Sequence, residues 1–243
     1  MYKFVLAALL VCLSLPTSAA PNLYISTVYD YLDGAQSSYR KRLSNVGDSS
    51  AFVRINLYEI VYGEGEPREI PLHDAGADGQ RRSLIATPSR LIIPAKGVQA
   101  TRLMFLGERD RERYYRVRFV PVMPEKDDGF AVPEAEREAY KAALNAGINV
   151  LTGYGTILIV RPGNTRFDTR IEQTAQRYRL TNAGNSTVVL EDFKDCSAGN
   201  APVCEPGRLH HVMPGKTFSF EKKPGRVVQF KRIEGAATHP SQV

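Results

Sequence analysis

The sequence predicts an all-β protein built from two sandwich-like units in tandem. Three observations carry this. Short runs rich in β-branched and aromatic residues recur roughly every 8–15 residues between turn signals. Several alternate apolar and polar residues with the period of a half-buried strand, as in Ala51-Phe-Val-Arg-Ile-Asn-Leu-Tyr58, where Val53, Ile55 and Leu57 share one face and Arg54 and Asn56 the other. Only one stretch has a helical character, so the strands lack the intervening helices of an α/β sheet. The 243 residues, 43% hydrophobic and 24% charged, suffice for one large or two small domains with real cores.

The elements follow in order. Met1-Tyr-Lys3, the apolar run Phe4 to Leu13, and the small residues Thr17 to Ala20 have the pattern of a secretory signal. The apolar run is about half the length a membrane span requires. Cleavage after Ala20 leaves Pro21 at the new terminus, and cleavage after Ala19, with Thr17 three positions back, is the alternative. We therefore expect residues 1–20 to be a signal peptide and the mature protein to be exported and not embedded in a membrane. Leu23 to Tyr29 reads as the first strand, closed by Asp33-Gly34. Ser38 to Leu43, Ala51 to Tyr58, Ser83 to Thr87, Arg90 to Ile93, Thr101 to Leu106 and Tyr114 to Val120 read as further strands. Pro88 and Pro94 mark strand ends, since proline donates no ladder hydrogen bond.

Pro133 to Leu144 carries good helix formers with acids in its first turn and predicts a short helix within a polar, mobile segment from Pro121 to Asn145. Ile148 to Val160 is then a long apolar strand with glycines at 153 and 155. It reads either as a central core strand or, in its first half, as an exposed strand requiring a partner. Arg161-Pro162-Gly163 marks the boundary between units at 21–161 and 162–243. The second unit has strands near Thr165–Ile171, Gln176–Thr181, Thr187–Phe193, His210–Met213, Thr217–Glu221 and Val227–Lys231. Gly235 to Val243 reads as a loose tail. Leu43-Ser-Asn45-Val-Gly47 and Leu180-Thr-Asn182-Ala-Gly184 repeat one turn phrase, either by chance or because two similar sandwiches lie in tandem.

Signal removal takes Lys3 and Cys12, leaving Cys196 and Cys204 as an even pair in an oxidising compartment. They read as a disulfide closing a turn-rich loop. His210 and His211 point to opposite faces of a strand, so only one of them is placed to join the cysteines in a metal site; we expect no metal. A Gly-x-Ser-x-Gly elbow, a His-Glu-x-x-His pair and a P-loop are all missing from the sequence. The four histidines, including His73 and His239, sit in turns or polar strand ends. Clustered acids such as Asp127-Asp128 read as a solvated face. Arg109, Arg111 and Arg113 alternate with Asp110 and Glu112 and form no single-sign patch for nucleic acid. The chain is read as neither an enzyme nor a nucleic-acid binder, with no cofactor.

A more specific signal lies in Ser83 to Leu103, in Glu112-Arg-Tyr-Tyr-Arg-Val-Arg-Phe-Val-Pro-Val-Met-Pro124, and in the strand ending Ile159-Val-Arg-Pro162. With Leu180 to Ser186 and Met213-Pro-Gly-Lys216, these resemble the periplasmic pilus (fimbrial) chaperones over nearly all the mature chain. The resemblance is greatest to the alternate chaperone–usher branch and its common-pilus type. It implies two immunoglobulin-like β-sandwich domains in an L, a periplasmic location, pilin subunits as clients and an outer-membrane usher as partner. Chaperones of this family lend an exposed strand to a pilin, which would assign Ile148, Val150, Thr152 and Tyr154 to client contact. Leu151, Ile157 and Ile159 would then face inward, although bulges at the two glycines would reverse that parity. The different-class alternative is a secreted pilus subunit or adhesin.

One departure stands out. Where the best-known branch has an Arg and a Lys to anchor a client's terminal carboxylate, this chain has Tyr29 and Ile157. Neither supplies a charge-assisted bond. Arg116, Arg118 and Arg102 lie in strands that would border the cleft and are candidate replacements, against the alternative of a solvated sheet face. Arg161, with Pro162, aligns with the family's domain-hinge residue.

Overall fold

The computed structural model describes residues 20–72, 83–126, 128–145, 150–199 and 201–243. The signal segment Met1–Ala19, with Cys12, lies outside the described residues, as do His73, Asp127 and Ile148. The first unit contains β1 (Leu23–Tyr24), β2 (Tyr29–Leu32), β3 (Ser38–Asn45), β4 (Ala51–Val61), β5 (Arg68–Pro71), β6 (Leu84–Thr87), β7 (Arg90–Ile93), β8 (Val98–Phe105), β9 (Arg113–Pro121), helix α1 (Glu134–Asn145) and β10 (Tyr154–Val160). The second contains β11 (Thr169–Gln173), β12 (Arg177–Asn182), β13 (Val188–Ser197), β14 (Arg208–Val212), β15 (Thr217–Glu221), β16 (Arg226–Glu234) and β17 (Ala237–Gln242).

Two sheets face each other in the first unit, ordered β1-β3-β8-β6 and β2-β10-β9-β4-β5, with β7 also pairing β4. Leu43, Leu84 and Leu103 from one sheet meet Val53, Val117 and Leu158 from the other, all at or near zero exposure. The second unit has sheets ordered β11-β12-β15 and β14-β13-β16-β17, closed on Leu180, Leu190 and Phe230. Among the described residues no strand is shared between the units. This is the all-β, double-sandwich fold that the strand spacing predicts.

The first expected strand divides. β1 pairs β3 in one sheet, and β2 pairs β10 in parallel in the other, so residues 25–28 cross between sheets. Lys41 makes the crossing possible. Its ammonium donates to the Thr27 carbonyl (2.6 Å) and to the Asp30 carboxylate (2.7 Å), supplying inside the sandwich the partners a ladder would have given.

The repeated phrase marks one joint used twice. Asn45 Oδ1 accepts from Gly47 N (3.0 Å), while its Nδ2 donates to Ser49 O and Ile93 O. Asn182 Oδ1 accepts from Gly184 N (3.0 Å), and its Nδ2 donates to Ser186 O and Val212 O. Both asparagines are buried, and each ties the end of its own strand to the end of a strand in the facing sheet. The glycines are required by close approach. A Cβ on Gly47 would stand 2.2 Å from Ala20 O, and one on Gly184 2.4 Å from Arg166 O. Two unrelated turns would not share this whole set of contacts, so the tandem reading holds.

Two expectations need correction. The segment before β10 is not simply a solvated polar loop: Phe130 and Leu144 are buried, and the Phe130 and Tyr140 rings meet Phe52 edge-on at 5.5 and 4.8 Å. Phe52 projects from the outer face of β4, and α1 covers it. The expected tail is also a strand. Gly235, at φ +64°, turns the chain back, β17 pairs β16, and Val243 exchanges both backbone bonds with Val228. Its poor strand composition is overridden by pairing, and Pro240 is tolerated because β17 is an edge.

Candidate functional site

Side-chain alternation gives β9 two different faces. Tyr115, Val117 and Phe119 are fully buried in the core, so Tyr114, Arg116 and Arg118 project from the outer face of the sheet. Register aligns them with β10, β2 and β4. Ile157 is opposite Arg116, Tyr29 is opposite Ile157, and Tyr58 flanks Arg116 on the other side. On β10 the core residues are Thr156, Leu158 and Val160, with Tyr154 packed against the same cluster. The parity expected from sequence is therefore reversed here: Ile157 and Ile159 face outward, and Tyr154 leans on the core rather than extending the outward set.

These outward side chains form one wall of a cavity of about 430 Å³ between the two units. Tyr29, Tyr62, Glu69, Tyr114, Arg116, Ile157 and Ile159 come from the first unit, and Thr187, His211 and Met213 from the second. A neighbouring cavity of about 370 Å³ lies further along the same face, lined by Glu69, Arg116, Arg118 and the backbone-rich strip Gly153-Tyr154-Gly155. Arg102 is not at either cavity. It is exposed on β8 in the opposite sheet, paired with Arg40 and Thr87, so it cannot border the cleft.

The floor between the units is polar and closed. Glu112 Oε2 accepts from Ser186 Oγ (2.7 Å) and Thr187 N (2.8 Å), while Oε1 accepts from the Thr187 and Tyr114 hydroxyls. Burial, with Glu112 adding to it, pushes the Tyr114 phenol well above its usual range. The Tyr31 hydroxyl and His211 Nε2 are 2.7 Å apart, and the His211 ring lies 4.1 Å from that of Tyr29. Burial, reinforced by His210, holds His211 down to about 4. Arg161 is buried, donates to Asp33 Oδ1 (2.6 Å), and sits over the rings of Tyr31 and Phe167. Pro162 is also buried at this junction.

Beyond the cleft, Val150 is 78% exposed and Thr152 is exposed. β10 pairs β9 along its whole length, but its other edge meets β2 only from Ile157 onward. Since Ile157 N donates to Val28 O, alternation directs the N–H and C=O of Gly155 to that same side, where among the described residues no strand is paired. Cys196 and Cys204 are disulfide-bonded within the second unit. His210 lies among Phe193 and Phe218 while His211 faces the cleft, the divergence expected of strand neighbours. No group of three metal-binding side chains occurs among the described residues. Sequence reasoning missed Glu69 and the interdomain use of Glu112. The alternation Glu112-Tyr114-Arg116-Arg118 was the signal available for the second.

In fold the chain is similar to solved fimbrial chaperones. CfaA, a class 5 fimbriae chaperone, superposes with a TM-score of 0.55 at 19% identity, covering 91% of this chain and 98% of that one. The periplasmic chaperone SfaE gives 0.51 at 16% identity, again over 91% and 98%. The architecture is thus that of the two-domain fimbrial chaperones, each domain an immunoglobulin-like sandwich. In sequence it is similar to the Escherichia coli protein named "Probable fimbrial chaperone EcpB", at 26% identity over 209 residues, 84% of this chain and 83% of that protein. No family model matches. In sequence and in fold, the proteins this chain is similar to are named as fimbrial chaperones.

Proposed function

We propose that the protein is a periplasmic chaperone that captures pilin subunits by lending them the strand at residues 148–154 and passes them to an outer-membrane usher. On this reading residues 1–20 are the signal, 21–161 the client-binding domain and 162–243 the second domain, joined at Arg161 and Pro162. The observation that carries the proposal is the free edge of β10 at Gly155, continuous with the exposed Val150 and Thr152. Such an edge offers backbone hydrogen bonds to an incoming strand, while alternate side chains fill an apolar groove. A solved chaperone–tip adhesin complex of CFA/I fimbriae, with a TM-score of 0.50 to this chain at 19% identity, supports a pilus subunit as the class of partner. No helix among the described residues is long and apolar enough to cross a membrane.

Arg116 and Arg118 take the place of the missing basic anchor in this reading. They are outward-facing cations of β9, the strand next to β10, and Gly155 leaves Arg116 uncovered, its missing Cβ position 3.4 Å from Arg116 Cδ. Tyr29 and Ile157 stand side by side in register at the cleft and contribute apolar surface in place of an ion pair. The test is capture of a co-expressed pilin by Ile148→Asp/Val150→Asp. Charges placed in an apolar groove should abolish co-purification while the chaperone's own melting transition is unchanged. Undiminished capture would contradict the reading.

A further inference from the structure

The two arginines proposed as the anchor are already engaged. Glu69, on the four-residue edge strand β5, places Oε1 3.1 Å from Arg116 Nε and Oε2 2.5 Å from an Arg118 terminal nitrogen. Among the described residues no other carboxylate is within ion-pair distance of either arginine. Glu69 and Arg116 line both cavities, so this carboxylate sits where the interdomain cleft meets the strip beside the open edge of β10. Its oxygens are divided between two guanidinium groups, the arrangement by which arginines recognise a single carboxylate. Around the pair, Tyr58 lies under Arg118 at 4.6 Å, Asn56 is opposite Arg118 on β4, and Tyr114 and Ile157 flank Arg116.

We propose that Glu69 is a specificity-determining residue that acts as a tethered stand-in for a client's terminal carboxylate. This rests on the reading of Arg116 and Arg118 as the anchor. While no client is bound, Glu69 satisfies both cations. A free carboxylate gains nothing by exchanging for one already in place, so small anions in solution are poor competitors. A client gains because its strand pairs with the β10 edge at the same time, holding its carboxylate at high effective concentration. Glu69 therefore ties the charge contact to strand docking. The pair is only partly shielded, with side-chain exposures of 27% for Glu69, 33% for Arg116 and 45% for Arg118, so the competing contact is weak enough to be displaced.

The experiment uses an N-acetylated heptapeptide alternating valine with serine, made as the free acid and as the C-terminal amide, titrated against the mature full-length chain. Glu69→Gln should bind the free acid about threefold to tenfold more tightly than the unmodified protein and leave the amide within about twofold. Glu64→Gln, which removes a charge from the exposed loop before β5, controls for net charge and should change neither. Glu69→Ala should reproduce the Glu69→Gln result, and thermal melts of both variants confirm that they are folded. A free-acid preference that depends on Arg116 and Arg118 but is unaltered by either Glu69 variant overturns the role of Glu69 while sparing the anchor. No free-acid preference in the unmodified protein, the Glu69 variants, Arg116→Ala or Arg118→Ala overturns the anchor and this inference with it.

Discussion

Glu112 of the first sandwich holds Thr187 of the second by two hydrogen bonds, one from its backbone N–H at 2.8 Å and one from its hydroxyl. The carboxylate is 8% exposed and both Ser186 and Thr187 are at zero, so this contact is sealed from solvent. A buried acceptor shared by donors on two domains fixes their relative placement more strictly than apolar contact would, because each donor has one direction of satisfaction. Glu112→Ala leaves four donors without their acceptor and should cost at least about 2–4 kcal/mol, since a bond to a charged group contributes roughly 1.5–3 and bonds sharing one acceptor do not simply add. Urea unfolding measures that loss. Small-angle scattering should show a broader spread of interdomain distances even where both sandwiches remain folded.

The matching asparagine joints predict matching losses. Asn45→Ala and Asn182→Ala each remove hydrogen bonds to buried backbone groups and should destabilise by about 2–4 kcal/mol. Because the joints belong to separate cores, the double variant should be additive within about 0.5 kcal/mol. Strong coupling in the double-mutant cycle would show that the sandwiches do not behave independently.

His211 predicts an acid sensitivity. Its pKa falls from 6.5 unfolded to about 4 folded, first through burial and then through His210. Between those values the unfolded chain binds the extra proton, so stability is full above pH 6.5 and is lost as pH falls toward 4. The groups around it are Tyr29, Tyr31 and His210, none of which offers a carboxylate to a protonated ring. With allowance for partial solvent access the loss is roughly 1–2 kcal/mol. His211→Gln should flatten the stability profile across this window, as followed by melting temperature against pH; an unchanged slope would contradict it.

The disulfide predicts a local effect. Cys196 and Cys204 are eight residues apart, and the loop they close should contribute about 2–3 kcal/mol to the second sandwich. The mature protein should weigh about 2 Da less than the dithiol form. Cys196→Ala/Cys204→Ala should lower the second sandwich's melting transition and leave pilin capture intact. Lost capture would place this loop in client contact.

Much of this was legible in the sequence because it rests on local pattern. Period-2 alternation located β4 and β9 and put Arg116 and Arg118 on one face. The paired Leu-x-Asn-x-Gly phrases marked equivalent joints, and the cysteine pair followed from compartment. What failed depended on pairing at a distance. The parity of β10 is set by the register Ile157↔Arg116 and by parallel pairing to Tyr29, and two glycines in the strand left the period ambiguous. β5 is a four-residue strand of largely polar composition that exists because β4 pairs it, so Glu69 gave no sign of meeting the arginines. Residues 237–242 likewise have a tail's composition and a strand's partner.

The central claim is that a client pairs with the free edge of β10, and hydrogen exchange at Gly155 tests it most directly. The Gly155 N–H points to the side where, among the described residues, no strand is paired before Ile157. In the protein alone it should exchange rapidly, and in a complex with a pilin it should be protected by at least about tenfold as the incoming strand accepts its hydrogen bond. A bound pilin that leaves Gly155 exchanging at its free rate would show that capture takes place on another surface.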